Sequence, residues 1–352
     1  MGIKDFTKVF DNHGEVKYKE LKGKNIVIDA SVEIYRSALG MSKSNVLVDS
    51  YGNPTAHINI ILLGVILKLK AAGANQYWIF DHNQQIDKEH HNPLKQLELK
   101  KRSAKKKAAN EKIMELKEKL SEMNVAESDK ELFSDSDEDE EKATIKKHID
   151  KQEKAAFTME AFYIEDVIFM LDMLDIPWVE CPPGYDAEQF AAIATYDTSV
   201  FNTNIDYILS TDADSLLFGG KVLIKRDVRK KKFFKYDLNR LLTDYKITQN
   251  DLIKIGVILG TDFAPKTPRV GPKTVLKKFN NIELTAEQQN ALSQFNKKLN
   301  ENDKKNIKII NGNGIPFTDK NKYKLLLDWL QSVKNYNRER IVKQFTKQNL
   351  FV

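Results

Sequence analysis

Short runs of β-branched and aromatic residues recur along this chain, and several stop at an acid. Ile205–Leu209 leads through Ser210-Thr211 into Asp212-Ala213-Asp214. Ile26-Val27-Ile28 ends in Asp29, and Tyr77-Trp78-Ile79-Phe80 ends in Asp81. Runs of this length and composition predict buried strands. Between them lie stretches with helical spacing: 57–72, 158–174 and 252–259. Strands alternating with helices predict an α/β fold. Its central sheet is expected to be mostly parallel and twisted, with helices on both faces. In such a sheet, ligands sit beyond the carboxyl ends of the strands. The terminal acids would lie there.

Each acid also has a structural explanation. Asp is favoured in turns and at helix N-caps, which covers Asp29 and an isolated Asp-x-Asp. Asp186 and Glu188 follow Pro182-Pro183-Gly184 and open a helical stretch, where the helix dipole favours acids. Asp262 stands where the 252–259 pattern breaks at Gly260-Thr261. The argument for a site is the recurrence. Asp29, Asp81, Asp186, Glu188, Asp212, Asp214 and Asp262 all fall at predicted strand ends or helix starts. Adjacent carboxylates repel unless a cation or proton holds them, and hard oxygen donors suit Mg²⁺ or Mn²⁺.

The 352 residues, 41% hydrophobic, can bury a sizeable core in one large domain or two. No apolar run is long enough to span a bilayer. Met1-Gly2-Ile3-Lys4-Asp5 lacks the apolar core of a signal peptide. Cys181 is the only cysteine, which excludes an intrachain disulfide and fits a reducing compartment. Net charge is +6, and the positive charge is clustered at 100–107 and 229–235. An acidic site in a chain with basic patches points to metal-dependent cleavage of nucleic acid.

The remaining stretches set the organisation. Residues 94–122 read as exposed helix, with sparse apolar positions among Lys and Glu. The run Ser134-Asp135-Ser136-Asp137-Glu138-Asp139-Glu140-Glu141 predicts disorder over about 126–145. A hairpin is expected over 221–235 with a basic tip at 229–232. Pro268 to Thr274 predicts a turn opening into a helix, whose amides, with Lys273, Lys277 and Lys278, suit phosphate binding. Residues 298–322 read as a loose polar insertion, and 323–345 as one or two helices.

Together these motifs resemble the flap endonuclease family of structure-specific 5′ nucleases. The matching stretches are Met1-Gly2-Ile3, Ile28-Asp29-Ala30-Ser31, Ile79-Phe80-Asp81, Gly184-Tyr185-Asp186-Ala187-Glu188, Ser210-Thr211-Asp212-Ala213-Asp214, Gly260-Thr261-Asp262-Phe263 and Val270-Gly271-Pro272-Lys273. The resemblance covers nearly all of the chain except the acidic insert and 283–320. It implies a core nuclease fold of the PIN-like type, in two sequence regions, 1–93 and 158–250. It also implies a helical arch over 94–157, a helix-two-turns-helix element gripping duplex over 251–282, and a C-terminal helical region over 283–352. By the same resemblance the seven acids hold two divalent ions, Mg²⁺ with Mn²⁺ as a substitute. Lys95 and Arg102 act on the scissile phosphate. Tyr35 stacks on a base near the cut. Gly2, Gly271, Lys273, Thr274 and Lys277 contact DNA, and K⁺ can occupy the 269–273 turn.

The implied activity is cleavage of 5′-flap or other branched DNA, with 5′–3′ exonuclease activity, in replication, repair or recombination. A 5′–3′ exoribonuclease of the same superfamily and a catalytically silent DNA-binding homologue are the alternatives. A monomer is expected, without membrane association. A sliding clamp stays open as a partner, although no clear clamp-binding peptide follows 345. The expected location is intracellular, in the nucleus or a viral replication compartment. The chain departs from the family pattern in four places. Asp186 replaces a usual Glu. Gln189 stands where bacterial members carry a further acid. Arg269 replaces a usual Gly. The acidic run lies inside the arch.

Overall fold

The computed structural model describes residues 6–11, 13–39, 47–82, 93–128, 136–310 and 320–347. Its strands are β1 (Gly14–Lys17), β2 (Asn25–Asp29), β3 (Asn75–Phe80), β4 (Trp178–Glu180), β5 (Tyr207–Leu209), β6 (Val222–Asp227) and β7 (Lys232–Asp237). They form one sheet in the order β1-β7-β6-β5-β2-β3-β4. β2 to β6 pair in parallel, while β7 on β6 and β1 on β7 are antiparallel. The chain leaves β2 towards β3 and β4, then returns to the other side of β2 with β5 and β6. The order therefore reverses at β2, and such a reversal opens a crevice beyond the carboxyl ends of the strands.

The first helices are α1 (Phe6–Val9), α2 (Ala30–Leu39), α3 (Ala56–Ile61) and α4 (Leu67–Ala71), the last two joined by one π-helical stretch, Leu62–Ile66. Two long helices follow, α5 (Pro93–Ser128) and α6 (Ser136–Ala156). Then come α7 (Ala161–Met173), α8 (Ala187–Ala194), α9 (Asp214–Leu217), α10 (Leu238–Tyr245), α11 (Gln249–Leu259), α12 (Pro272–Lys278), α13 (Ala286–Phe295) and α14 (Glu301–Asn306). α15 (Lys320–Ser332) and α16 (Arg338–Lys347) close the described chain.

The sheet is buried on both faces because neighbouring strand residues point opposite ways. Val27, Ile79, Val179 and Ile208 join a core with Phe190, Leu216, Ile255 and Leu259 from α8, α9 and α11. Ile26, Ile28, Trp78 and Leu209 face a second core with Ile34, Ile58, Val167 and Leu326 from α2, α3, α7 and α15. Ile28 is fully buried, and truncating such a residue to Ala costs about 2–5 kcal/mol. Two cores clamp the central strands, so the acids at their ends start from a rigid base.

Two expectations are corrected for the described residues they cover. The acidic stretch was expected to be disordered over 126–145; residues 129–135 lie outside the described residues, while on either side of them α5 continues to Ser128 and α6 begins at Ser136. The acids occupy the first turns of α6, where the helix dipole favours them. At the end of the acidic run Glu141 pairs with Lys119 of α5 at 2.7 Å, and further along α6 Glu153 lies 3.4 Å from Lys117. Burial of Ala109, Ile145 and Ile149 completes the contact between the helices. The insertion at 298–322 was expected to be loose, yet it contains α14. Ile310 bridges to Trp178, each residue's N–H donating to the other's carbonyl at 2.9–3.0 Å. Both errors arise because local composition cannot register a partner distant in sequence.

Candidate metal and nucleic-acid site

The acids converge at the β2 crevice. Asp29 ends β2 at 1% exposure, and its Oδ1 accepts the Val32 amide at 3.0 Å. Asp81 follows β3, and its Oδ1 accepts the Ala187 amide at 2.9 Å, tying this strand end to the start of α8. Asp186 stands at the N-cap position of α8 with extended backbone, but its carboxylate does not cap the helix. Glu188 lies in the first turn of α8. After β5 the Asp212 amide donates to Ser210 Oγ at 3.0 Å, and Asp212 Oδ1 accepts the Asp214 amide at 3.1 Å. Carboxylate oxygens of Glu188, Asp212 and Asp214 lie within 4.8 Å of one another.

The electrostatics are those of crowded acids. Burial, then the Asp81 charge, pushes Asp29 well above the usual carboxylate range, against the pull of the Val32 amide. Burial and then Asp212 and Asp214 push Glu188 well above it. Asp212 is raised mainly by burial. Such a set fits a divalent cation on its own chemistry: hard oxygen donors, converging, each costly to ionise without a positive charge nearby.

Asp262 reaches the same cavity from the end of α11. It follows α11 through Gly260, whose φ of +95° an L-side chain rarely adopts. A Cβ there would also come within 3.0 Å of Lys266. This turn delivers Asp262 to Arg102 of α5, with Nη2 donating to Oδ2 at 2.8 Å. Asp29, Asp81, Asp186, Glu188 and Asp262 line a cavity of about 520 Å³. The same cavity is lined by Arg102, Lys105 and Lys106, with Tyr35, Phe157 and Met159. Tyr35 and Phe157 meet edge to face with centroids 5.4 Å apart.

The other predicted residues lie outside the described residues or away from this cavity. Gly2 lies outside the described residues. Lys95 is on α5, at a position whose side chain is likewise outside them. Gly271, Lys273, Thr274 and Lys277 are at or in α12, away from the cavity lining. There the Gly271 amide donates to Thr274 Oγ1 at 3.1 Å, and Lys273 and Lys277 are exposed. Arg269, where the family pattern has Gly, holds a left-handed φ of 61°. Gln189, at the position of a further bacterial acid, points away from the cluster and donates to the Lys297 carbonyl at 3.2 Å.

Sequence reasoning missed several contributors. Lys105 and Lys106 were visible only as part of a charge run, and Phe157 only as the residue where order resumes. Lys225 of β6 gave no signal. Its Nζ lies 5.7 Å from the Phe6 ring centroid and 5.5 Å from that of Tyr236. Burial lowers its pKa, opposed by the charges of Asp212 and Asp214.

Comparison with known proteins agrees with this geometry. The XPG N-terminal domain matches residues 1–109 and the XPG I-region matches 175–262, together more than half of the chain. All seven acids fall within the matched segments. The chain belongs to the flap endonuclease and XPG family of 5′ nucleases. It is 30% identical over 288 residues to flap endonuclease 1-A of Physcomitrium patens, covering 79% of this chain and 63% of that one. The first curated relatives it matches are aligned over 63–65% of their own length, just under two thirds. Among solved structures, flap endonuclease-1 from Methanococcus jannaschii superposes with a TM-score of 0.63 at 17% identity, covering 99% of this chain and 98% of that one. The catalytic core of Rad2 in complex with DNA substrate gives 0.60 at 15% identity, covering 99% and 100%. At these identities the likeness is one of fold, and the α/β 5′ nuclease core is that fold.

Proposed function

We propose that this chain is a metal-dependent, structure-specific 5′ nuclease. It would cleave flap and other branched DNA near the single-strand to duplex junction and act as a 5′–3′ exonuclease, in DNA replication, repair or recombination. One observation carries the reading: Asp29, Asp81, Asp186, Glu188 and Asp262 line one cavity together with Arg102, Lys105, Lys106 and Tyr35, and Glu188 links them to the buried Asp212 and Asp214. The names of its relatives and the DNA in the Rad2 complex support the substrate class.

Asp29, Asp81, Asp186, Glu188, Asp212, Asp214 and Asp262 would hold two divalent cations, Mg²⁺ with Mn²⁺ as a substitute, directly or through water. Bound there, the cations supply an activated water and charge stabilisation at the phosphate. The chain's own side chains do the rest. Asp81 and the Ala187 amide hold two ligand-bearing segments in register. Arg102, paired with Asp262, would grip the scissile phosphate together with Lys95. Lys105 and Lys106 extend the positive wall along the backbone. Tyr35 and Phe157 offer faces on which a base can stack, a contact that tolerates any sequence. Gly271, Lys273, Thr274 and Lys277 would hold duplex phosphates away from the cut, with K⁺ at the 269–273 turn, and Gly2 would contact the substrate. The protein would act as an intracellular monomer. No described helix is long and apolar enough to cross a membrane.

The test is cleavage of a labelled double-flap DNA with Mg²⁺, with EDTA and with Asp212→Ala. A cut near the flap base that needs both the cation and Asp212 is expected. Binding without cleavage in Mg²⁺ and Mn²⁺ would refute the nuclease reading, and preference for single-stranded RNA would refute the substrate class.

A further inference from the structure

The turn into α8 that carries Asp186 and Glu188 is gripped by a segment in which the family resemblance fades. That segment runs from the end of α13 through α14 to Ile310. Its successive carbonyls, Lys297 and Lys298, are each held by a side chain that flanks the two acids. Gln189 Nε2 donates to the Lys297 carbonyl at 3.2 Å, and Tyr185 Oη donates to the Lys298 carbonyl at 3.0 Å. Both side chains belong to residues only 5% exposed. The segment answers in kind. Lys297 Nζ donates to the Gly184 carbonyl at 2.8 Å and sits 4.1 Å from the Tyr185 ring centroid. Gly184 holds a φ of +79°, so this carbonyl is presented by a turn that suits glycine. Further along, Lys304 pairs with Asp197 at 3.1 Å, beyond the end of α8. Ile310 then bridges to Trp178 on β4, upstream of the loop.

The contacts thus bracket the segment 184–189 on its outer side, while the Asp81 carboxylate holds the Ala187 amide on its inner side. Asp186 and Glu188 occupy the positions between. Repulsion within the acid cluster pushes these carboxylates apart, and a helix start free to yield would let them separate. We infer that residues 296–310 form a strap, and that Tyr185 and Gln189 are positioning residues which hold Asp186 and Glu188 in ligating geometry against that repulsion. The inference rests on the metal-dependent reading of the site. It assigns Gln189 a hydrogen-bonding task outside the cluster, in place of the ligand role of an acid.

The test compares wild type with Tyr185→Phe, Gln189→Leu and the double variant, which remove the donors at nearly constant volume. Mn²⁺ affinity is read by titration calorimetry, and kcat and KM on double-flap DNA are read as Mn²⁺ is raised. The double variant is expected to bind Mn²⁺ about tenfold more weakly, the lower end for residues that orient ligands. Tyr185→Phe alone should weaken binding about fivefold, as for loss of one hydrogen bond. KM for DNA should stay unchanged, and saturating Mn²⁺ should restore kcat, which it would not do for a misfolded protein. Should the double variant fail to fold by circular dichroism, Tyr185→Phe carries the test. Unchanged Mn²⁺ affinity in the folded variants, or a kcat loss that persists at saturating Mn²⁺, would overturn the strap. Wild type that neither binds Mn²⁺ nor cleaves would overturn the nuclease reading instead.

Discussion

Two groups of buried charge in this molecule behave in opposite ways. At the carboxyl ends of the strands, Asp29, Glu188, Asp212 and Asp214 bring together one sign of charge, and their pKa values rise or their oxygens crowd. On the side of the second core, Lys334, after α15, is 4% exposed and pairs with Asp49 at 2.9 Å and Asp166 at 2.8 Å. His57 Nε2 meets Asp166 Oδ2 at 3.1 Å. Asp49 Oδ1 also accepts the amides of Tyr51 and Asn53 at 2.9 and 2.8 Å. This second group is complementary by itself and stitches α3, α7 and the turn after α15 to the 47–55 loop. The first has Lys225 near Asp212 and Asp214 but keeps an excess of negative charge. Buried charge alone therefore does not mark a functional site, but buried charge of one sign at a sheet's switch point does.

The largest expected effect follows from that asymmetry. Asp212→Asn should reduce flap cleavage by at least about 10⁴-fold, the scale of losing an essential catalytic group. It should also raise the melting temperature of the metal-free protein, because one repelling charge is gone. A lower melting temperature, measured by calorimetry in EDTA, would show that the acids are already compensated from within.

Lys334→Met should do the reverse. Removing the one cation leaves Asp49 and Asp166 buried without it, at a cost of about 3–5 kcal/mol in denaturant unfolding. Flap cleavage by the folded fraction should stay within a few-fold of wild type. A neutral effect on stability would mean that the acids are solvated in the native state.

Divalent cation should stabilise the protein by about 2.7 kcal/mol at a hundredfold excess over its Kd. The pH dependence should separate the two groups by sign. The raised pKa values of Asp29, Glu188 and Asp212 mean that the metal-free native state binds more protons than the unfolded chain. Metal-free stability should therefore fall as pH rises above the ordinary carboxylate range, and Mg²⁺ should reduce that fall. For Asp49, burial acts upward, but the Lys334 ammonium and the two amides outweigh it and lower its pKa. Its contribution is present above the ordinary carboxylate value and is lost as pH falls through the lowered native value. Melting temperatures across pH, with EDTA and with Mg²⁺, should resolve both slopes. A metal-independent slope above the carboxylate range would break the distinction.

The smallest effect is a control for exposed charge. Lys119→Ala removes the ion pair to Glu141, whose side chains are 55% and 52% exposed. Stability in denaturant should change by less than about 1 kcal/mol. A larger loss would mean that the α5 and α6 pair depends on charge more than on Ala109, Ile145 and Ile149.

Much of this molecule was legible in its residues. The apolar runs at 26–28, 77–80 and 205–209 marked three adjacent central strands, because a strand buried on both faces must be apolar throughout. Asp29, Asp81 and Asp212 were legible as acids beyond those strands, because the break in apolar character is where a strand leaves the core. Glycine and proline marked the turns before Asp186 and Asp262. Those are local signals, set by backbone conformation and burial, and residue order alone carries them. Only the tertiary structure decided what depends on contacts between distant segments. It set the strand order that reverses at β2, the pairing of Arg102 with Asp262, and the packing of α6 against α5. It turned Gln189 outward to a strap more than a hundred residues away, and it enclosed Lys334 with two acids. Each is a balance of charge or hydrogen bonding closed across the fold, and no stretch of sequence contains both sides of it.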